Sequence, residues 1–163
     1  MHEVAEMNLG EALLELKAKR SELVRLQELR ENSFKFRQGG KKPEEKFENL
    51  NAEIAKLIAE IRKLKMRIEN ANHTRFIDAP EGRMSIAEAI HHVADMRSEL
   101  ACLQKLKEEY REKDRWMRDD DTANYEFQVP QRELLKTIND LEAKKVRMDA
   151  FLSAWNWKAD VAE

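Results

Sequence analysis

Two stretches of this chain can be laid over each other without a gap. "MNLGEALLELKAKRSELVRLQELRE" begins at Met7 and "MSIAEAIHHVADMRSELACLQKLKE" begins at Met84, an offset of 77. Met7/Met84, Glu11/Glu88, Ala12/Ala89, the tetrapeptide Arg-Ser-Glu-Leu (20–23 and 97–100) and Leu26-Gln27/Leu103-Gln104 are identical. A second pair of stretches aligns at an offset of 84: Leu50/Leu134, Ile54/Ile138, Leu57/Leu141, Leu64/Met148, Ile68/Leu152 and Asn72/Asn156. The same two-part unit is therefore written twice, about residues 7–74 and 84–160, and its second internal connection is seven residues longer.

Each part of the unit carries the period of a helix. Leu9, Leu13, Leu16, Leu23 and Leu26 follow 3-4 spacing over about Asn8–Ser33, and Asn8 with Glu11 forms a capping-box pattern. Phe47, Leu50, Ile54, Leu57, Ile61, Leu64 and Ile68 mark a second helix, for which Pro43 suits the first turn. Ser85 and Glu88 open a third helix, with Ile86, Ile90, Val93, Leu100, Leu103 and Leu106 in its stripe. Leu134, Ile138, Leu141, Met148 and Leu152 mark a fourth after Pro130. Short connections make consecutive helices antiparallel neighbours. The expected fold is all-α: one domain over residues 1–163, an antiparallel four-helix bundle of two repeated hairpins with coiled-coil-like stripes. Phe34-Lys35-Phe36 and Tyr125–Val129 alternate apolar and polar residues, so short strands are expected in the two hairpin loops.

The composition narrows the class of function. Charged residues make up 38% of the chain, yet Lys plus Arg (30) nearly balances Asp plus Glu (32). No global basic field exists to attract nucleic acid or anionic lipid. No apolar run is long enough to span a bilayer. The start "MHEVAEMNLG" has neither the basic nor the apolar region of a signal peptide, and the lone Cys102 suits a reducing cytoplasm. Cys102 has no activating partner nearby, so it reads as a small buried hydrophobe.

Candidate chemistry is thin. Glu88-Ala89-Ile90-His91 has the Glu-x-x-His spacing of di-iron bundles, but the matching Glu11–Leu14 lacks a histidine. Glu88, His91, His92 and Asp95 therefore read as a solvated face, with no metal or other cofactor expected. No Gly-rich phosphate loop, cysteine pair or catalytic triad is present, and no enzyme activity is expected. "NHTRF" at 72–76 reads as a chain-reversal cap rather than an anion site. Of Trp155 and Trp157, one is expected in the core and the other over the middle connection or a neighbouring subunit.

One polar feature recurs in both copies. Arg20 and Gln27 interrupt the apolar seam of the first helix where Arg97 and Gln104 interrupt that of the third. A buried guanidinium requires a partner, which Glu22 and Glu99, or Asn72 and Asn156, could supply. Arg20, Gln27, Asn72, Arg97, Gln104 and Asn156 thus form a candidate polar pocket for a small ligand or anion. The competing reading places these side chains at the seam's edge, because a straight helix drifts off a seven-residue repeat; it is the one favoured. Val24, Leu29 and Ile58 widen the apolar stripes beyond one partner's needs, which points to a homo-oligomer with unidentified protein partners.

"NLGEALLELKAKRSELVRLQ", "IENANHT", "GRMSIAEAIHHVADMRSEL" and "NWKADV" together resemble a family of small bacterial all-helical proteins. Its members carry either no assigned function or a septicolysin-like name. The resemblance implies a helical bundle without an established activity; the name itself implies a cytolysin. The residues point to a non-enzymatic, cytoplasmic protein acting through self-association and protein contacts. Small-ligand or metal binding at the polar seam is the alternative, and cytolysis a remote one.

Overall fold

The computed structural model describes residues 7–116 and 126–161, the side chains of 111–116 excepted. Four helices and one small sheet follow in the order α1 (Leu9–Ser33), α2 (Phe47–Thr74), β1 (Phe76–Ala79), β2 (Gly82–Ser85), α3 (Ile86–Trp116) and α4 (Gln131–Trp155). The chain divides into two compact units, Met1–Arg75 with Trp155–Glu163, and Phe76–Ala154.

In the first unit α1 starts where the sequence places it. The Asn8 side chain accepts from the Glu11 N–H, and the Glu11 carboxylate accepts from the Asn8 N–H, both at 2.9 Å. That reciprocal pair satisfies two of the four donors a helix leaves open at its start. The other two are met by the segment after α4: Leu9 N–H donates to the Ala159 carbonyl and Gly10 N–H to that of Asn156. Asn8 and Asp160 form an isolated antiparallel bridge, and the Val161 N–H donates to Met7 at 2.9 Å. The Trp157 ring lies on Gly10, where an added Cβ would stand 2.9 Å from it; only hydrogen fits there.

α1 and α2 run antiparallel, with Lys19 bonded to Glu60 and Arg30 to Asn51, both at 2.8 Å. Their seam holds Leu26, Leu50 and Ile54, with Leu23, Leu29 and Leu57 packed against it. The start of α2 differs from expectation. It opens at Phe47, with Lys46 extended before it and no side-chain cap, and Pro43 lies outside the helix. At that start the Phe47 ring meets Phe34 at a centroid distance of 5.7 Å.

The second unit begins with the antiparallel hairpin β1–β2, paired from Phe76↔Ser85 to Ala79↔Gly82. Pro80 suits the first corner of its two-residue turn, and Gly82 supplies a φ of 125° that other residues rarely adopt. Ile77, Ala79 and Met84 are buried, as is Ile86 at the start of α3. Among the described residues the strands thus lie in the middle connection. Phe34–Phe36 and Glu126–Val129 form no strand, and Tyr125 lies outside the described residues, as does His2. Phe76–Ser85 pairs because it folds back on itself over two turn residues.

The hairpin pairs also correspond to the chain-end contacts. The offsets of 77 and 84 carry Asn8 and Asp160 onto Ser85 and Phe76, a β1–β2 pair. They carry Met7 and Val161 onto Met84 and Ile77, the next pair. Buried positions correspond as well: Leu9/Ile86, Ala12/Ala89, Leu16/Val93, Leu50/Leu134, Ile54/Ile138 and Leu64/Met148. Cys102 departs from expectation, because it is exposed. It stands beside exposed Ala101 on the side of α3 away from Leu100 and Leu103, which are half-buried.

Candidate functional site

The six seam residues are divided between the two units. Arg20, Gln27, Asn72 and Asn156 belong to the first unit, Arg97 and Gln104 to the second. Arg20, Arg97 and Gln104 are exposed, and Gln27, Asn72 and Asn156 are half-buried. Among the described residues no polar or charged side chain is fully buried. This is the edge position: the guanidinium keeps its water and needs no interior partner.

Arg97 nevertheless makes a contact that the repeat hid. Its Nη2 lies 3.0 Å from Asp149 Oδ1 on α4, while Lys145 Nζ reaches Asp149 Oδ2 at 2.9 Å. Neither Glu99 nor an asparagine is the partner, and Glu22 is taken by Arg25 at 2.6 Å. The offset of 84 sets Asp149 against Lys65, so the aligned copies gave no acid to look for. Lys145, and after it Arg97, holds the Asp149 carboxyl below its usual range, against partial burial that opposes the shift. A carboxyl lowered on folding stabilises the fold above its unfolded pKa of about 4, and that stabilisation fades as pH falls through the lower folded value. The stability gap between wild type and Asp149→Asn should therefore narrow in acid, read by urea melts at pH 7 and pH 3. Arg20→Met and Arg97→Met should each change stability by less than about 1 kcal/mol, since both groups are solvated. A loss of several kcal/mol in chemical denaturation would return them to the interior.

Glu88, His91 and Asp95 are exposed and His92 is half-buried. Among the described residues no three His, Cys, Asp or Glu side chains are placed to hold a metal ion. Among the described residues two buried side-chain atoms have no hydrogen-bond partner, Asn72 Oδ1 and His92 Nδ1. Trp157 is exposed and its ring lies on Gly10, and Trp155 is half-buried with Lys158 Nζ 5.8 Å from its ring centroid.

The most distinctive surface is the tip joining α1 to α2. Arg30 suits the last turn of α1, whose carbonyls carry partial negative charge. The chain then turns at Arg37–Gly40, where the Gly40 N–H donates to Arg37 at 2.9 Å and Gly39 takes a φ of 79°. Every residue from Phe34 to Lys42 is exposed. Phe34 is 69% and Phe36 51% accessible. Lys35, Arg37, Lys41 and Lys42 surround them with no acid in the stretch, and Lys41 pairs outward with Glu44 at 2.9 Å. Two phenyl rings left in water amid four cations form a surface suited to an apolar, anionic partner. Further along the helices Val24 and Ile58 are also exposed, whereas Leu29 packs into the seam. The sequence signal for the tip was the Phe-Lys-Phe-Arg alternation, read as a strand because its period is two.

Nothing among curated proteins matches the chain. A solved structure described as a functionally unknown conserved protein from Corynebacterium diphtheriae superposes with a TM-score of 0.78. It is 20% identical and covers 96% of this chain and 99% of its own. That likeness is one of fold. The model of a family of unknown function matches residues 15–161, so the chain belongs to that family, DUF6847.

Proposed function

We propose that the protein is a non-enzymatic helical protein that acts in the cytoplasm through self-association and contacts with other proteins. The observation that carries this reading is the exposed tip, with Phe34 and Phe36 held in solvent between cations. Leaving such rings hydrated forgoes apolar burial worth roughly 1.5–3 kcal/mol for a fully buried phenylalanine, and a partner surface recovers it. Among the described residues no helix is long and apolar enough to cross a membrane. The family's description gives no activity, so the septicolysin-like name adds no support for cytolysis.

Small-ligand binding keeps one foothold, the buried Asn72 Oδ1 without a hydrogen-bond donor. Native mass spectrometry of protein purified from its own organism separates the two. The self-association reading expects complexes at multiples of 19.2 kDa. A monomer carrying a small molecule at one equivalent would overturn it in favour of the ligand reading.

A further inference from the structure

The two hairpin connections, equivalent in the repeat, carry opposite charge. Phe34–Lys42 holds Lys35, Arg37, Lys41 and Lys42 and no acid. The connection between α3 and α4 carries one base, Arg118, against Glu126 and three consecutive acids, Asp119, Asp120 and Asp121; residues 117–125 lie outside the described ones. The whole α1–α2 connection, residues 34–46, adds Glu44, Glu45 and Lys46 and keeps an excess of three positive charges, where residues 117–130 keep an excess of three negative ones.

We propose that the basic, aromatic tip Phe34–Lys42 receives the acidic run Asp119–Asp121 of a second copy of this chain. The proposal rests on the self-association reading and names its partner. Opposite charges steer the two surfaces together and fix which connection meets which, while like connections repel. Phe34 and Phe36 supply apolar area that an acidic run alone cannot use, which Tyr125 of the same connection can cover. Each copy owns one tip and one acidic run, so two copies can make the contact twice, once in each direction. A reciprocal pair of contacts closes into a dimer and leaves neither connection unmatched. The interaction is between exposed charges, so it weakens as salt shortens the screening length, from about 10 Å at 0.1 M to about 3 Å at 1 M.

Sedimentation equilibrium on the whole chain tests this in two ways. For the wild type, raising salt from 0.05 M to 1 M should weaken association at least tenfold. Reversing the tip (Lys35→Glu, Arg37→Glu, Lys41→Glu, Lys42→Glu) or the acidic run (Asp119→Lys, Asp120→Lys, Asp121→Lys) should give a monomer in each case. The mixture of one tip-reversed and one run-reversed copy should associate as a heterodimer, because each reversed connection then meets its opposite charge on the other copy. A single chain carrying both reversals should dimerise again. A wild-type oligomer indifferent to salt and to both reversals would overturn this docking and leave self-association standing. A wild-type monomer at every salt would overturn both. Failure of the doubly reversed chain to reassociate, with its melting temperature intact, would also overturn the pairing. So would a monomer that sediments with phosphatidylserine vesicles and not with neutral ones, which would give the tip to a lipid surface.

Discussion

Removing Ala159–Glu163 is expected to destabilise the protein by about 3–6 kcal/mol. The estimate sums the burial of Val161 and Ala159 with the backbone bonds lost at the start of α1. Val161 is only 2% exposed, and the Ala159 carbonyl is the acceptor for the first N–H of α1. Without it, that donor and Met7's carbonyl return to water and α1 loses part of its cap. Urea denaturation of the truncated chain reads the effect directly. A midpoint equal to the wild type's would mean that the chain's end merely rests on α1. The point variant Val161→Asp should reproduce much of the loss, because a carboxylate would enter an apolar site without a partner.

The second large effect distinguishes stripe residues that look alike in sequence. Leu9 and Ile86 open α1 and α3 and are each 1% exposed. Leu9→Ala and Ile86→Ala should each cost about 2–5 kcal/mol, the usual range for deleting a buried aliphatic side chain. Leu13 and Ile90 belong to the same 3-4 pattern one turn later, yet they are 39% and 44% exposed. Their replacement by alanine should cost less than about 1 kcal/mol. Equal losses at all four positions would contradict the burial on which the fold is described.

Those two positions also show what the sequence could and could not reveal. The helices were legible because each carries a long apolar period and α1 and α3 carry capping residues, Asn8 with Glu11 and Ser85 with Glu88. Periodicity assigns a residue to a stripe, but it does not say which members of a wide stripe reach the seam; Leu13 and Ile90 fell on the wet side. The β-hairpin is hidden for a different reason: each strand has four residues, too few for an alternating pattern to stand out. Its counterpart at the chain ends, Asn8 with Asp160, joins residues 152 apart in sequence, beyond the reach of any local pattern.

The seam arginines show the same limit in the candidate site. Repetition marked Arg20 and Arg97 as notable without saying whether the side chains turn inward. Both are exposed, and the acid that meets Arg97 stands where the other copy has Lys65. Phe34 and Phe36 were noticed for their alternation, which carries no information on exposure. Only the fold shows them at a tip, beyond the last turn of α1, where the neighbouring residues through Lys42 are all in solvent.

The central claim is that this tip is a working surface, and the double variant Phe34→Ser, Phe36→Ser tests it most directly. Both side chains are more than half exposed, so the fold should tolerate the change with its melting temperature within a few degrees. Light scattering coupled to size exclusion at tens of micromolar should then give at least twice 19.2 kDa for the wild type and 19.2 kDa for the variant. Equal masses for the two, at unchanged thermal stability, would contradict the account.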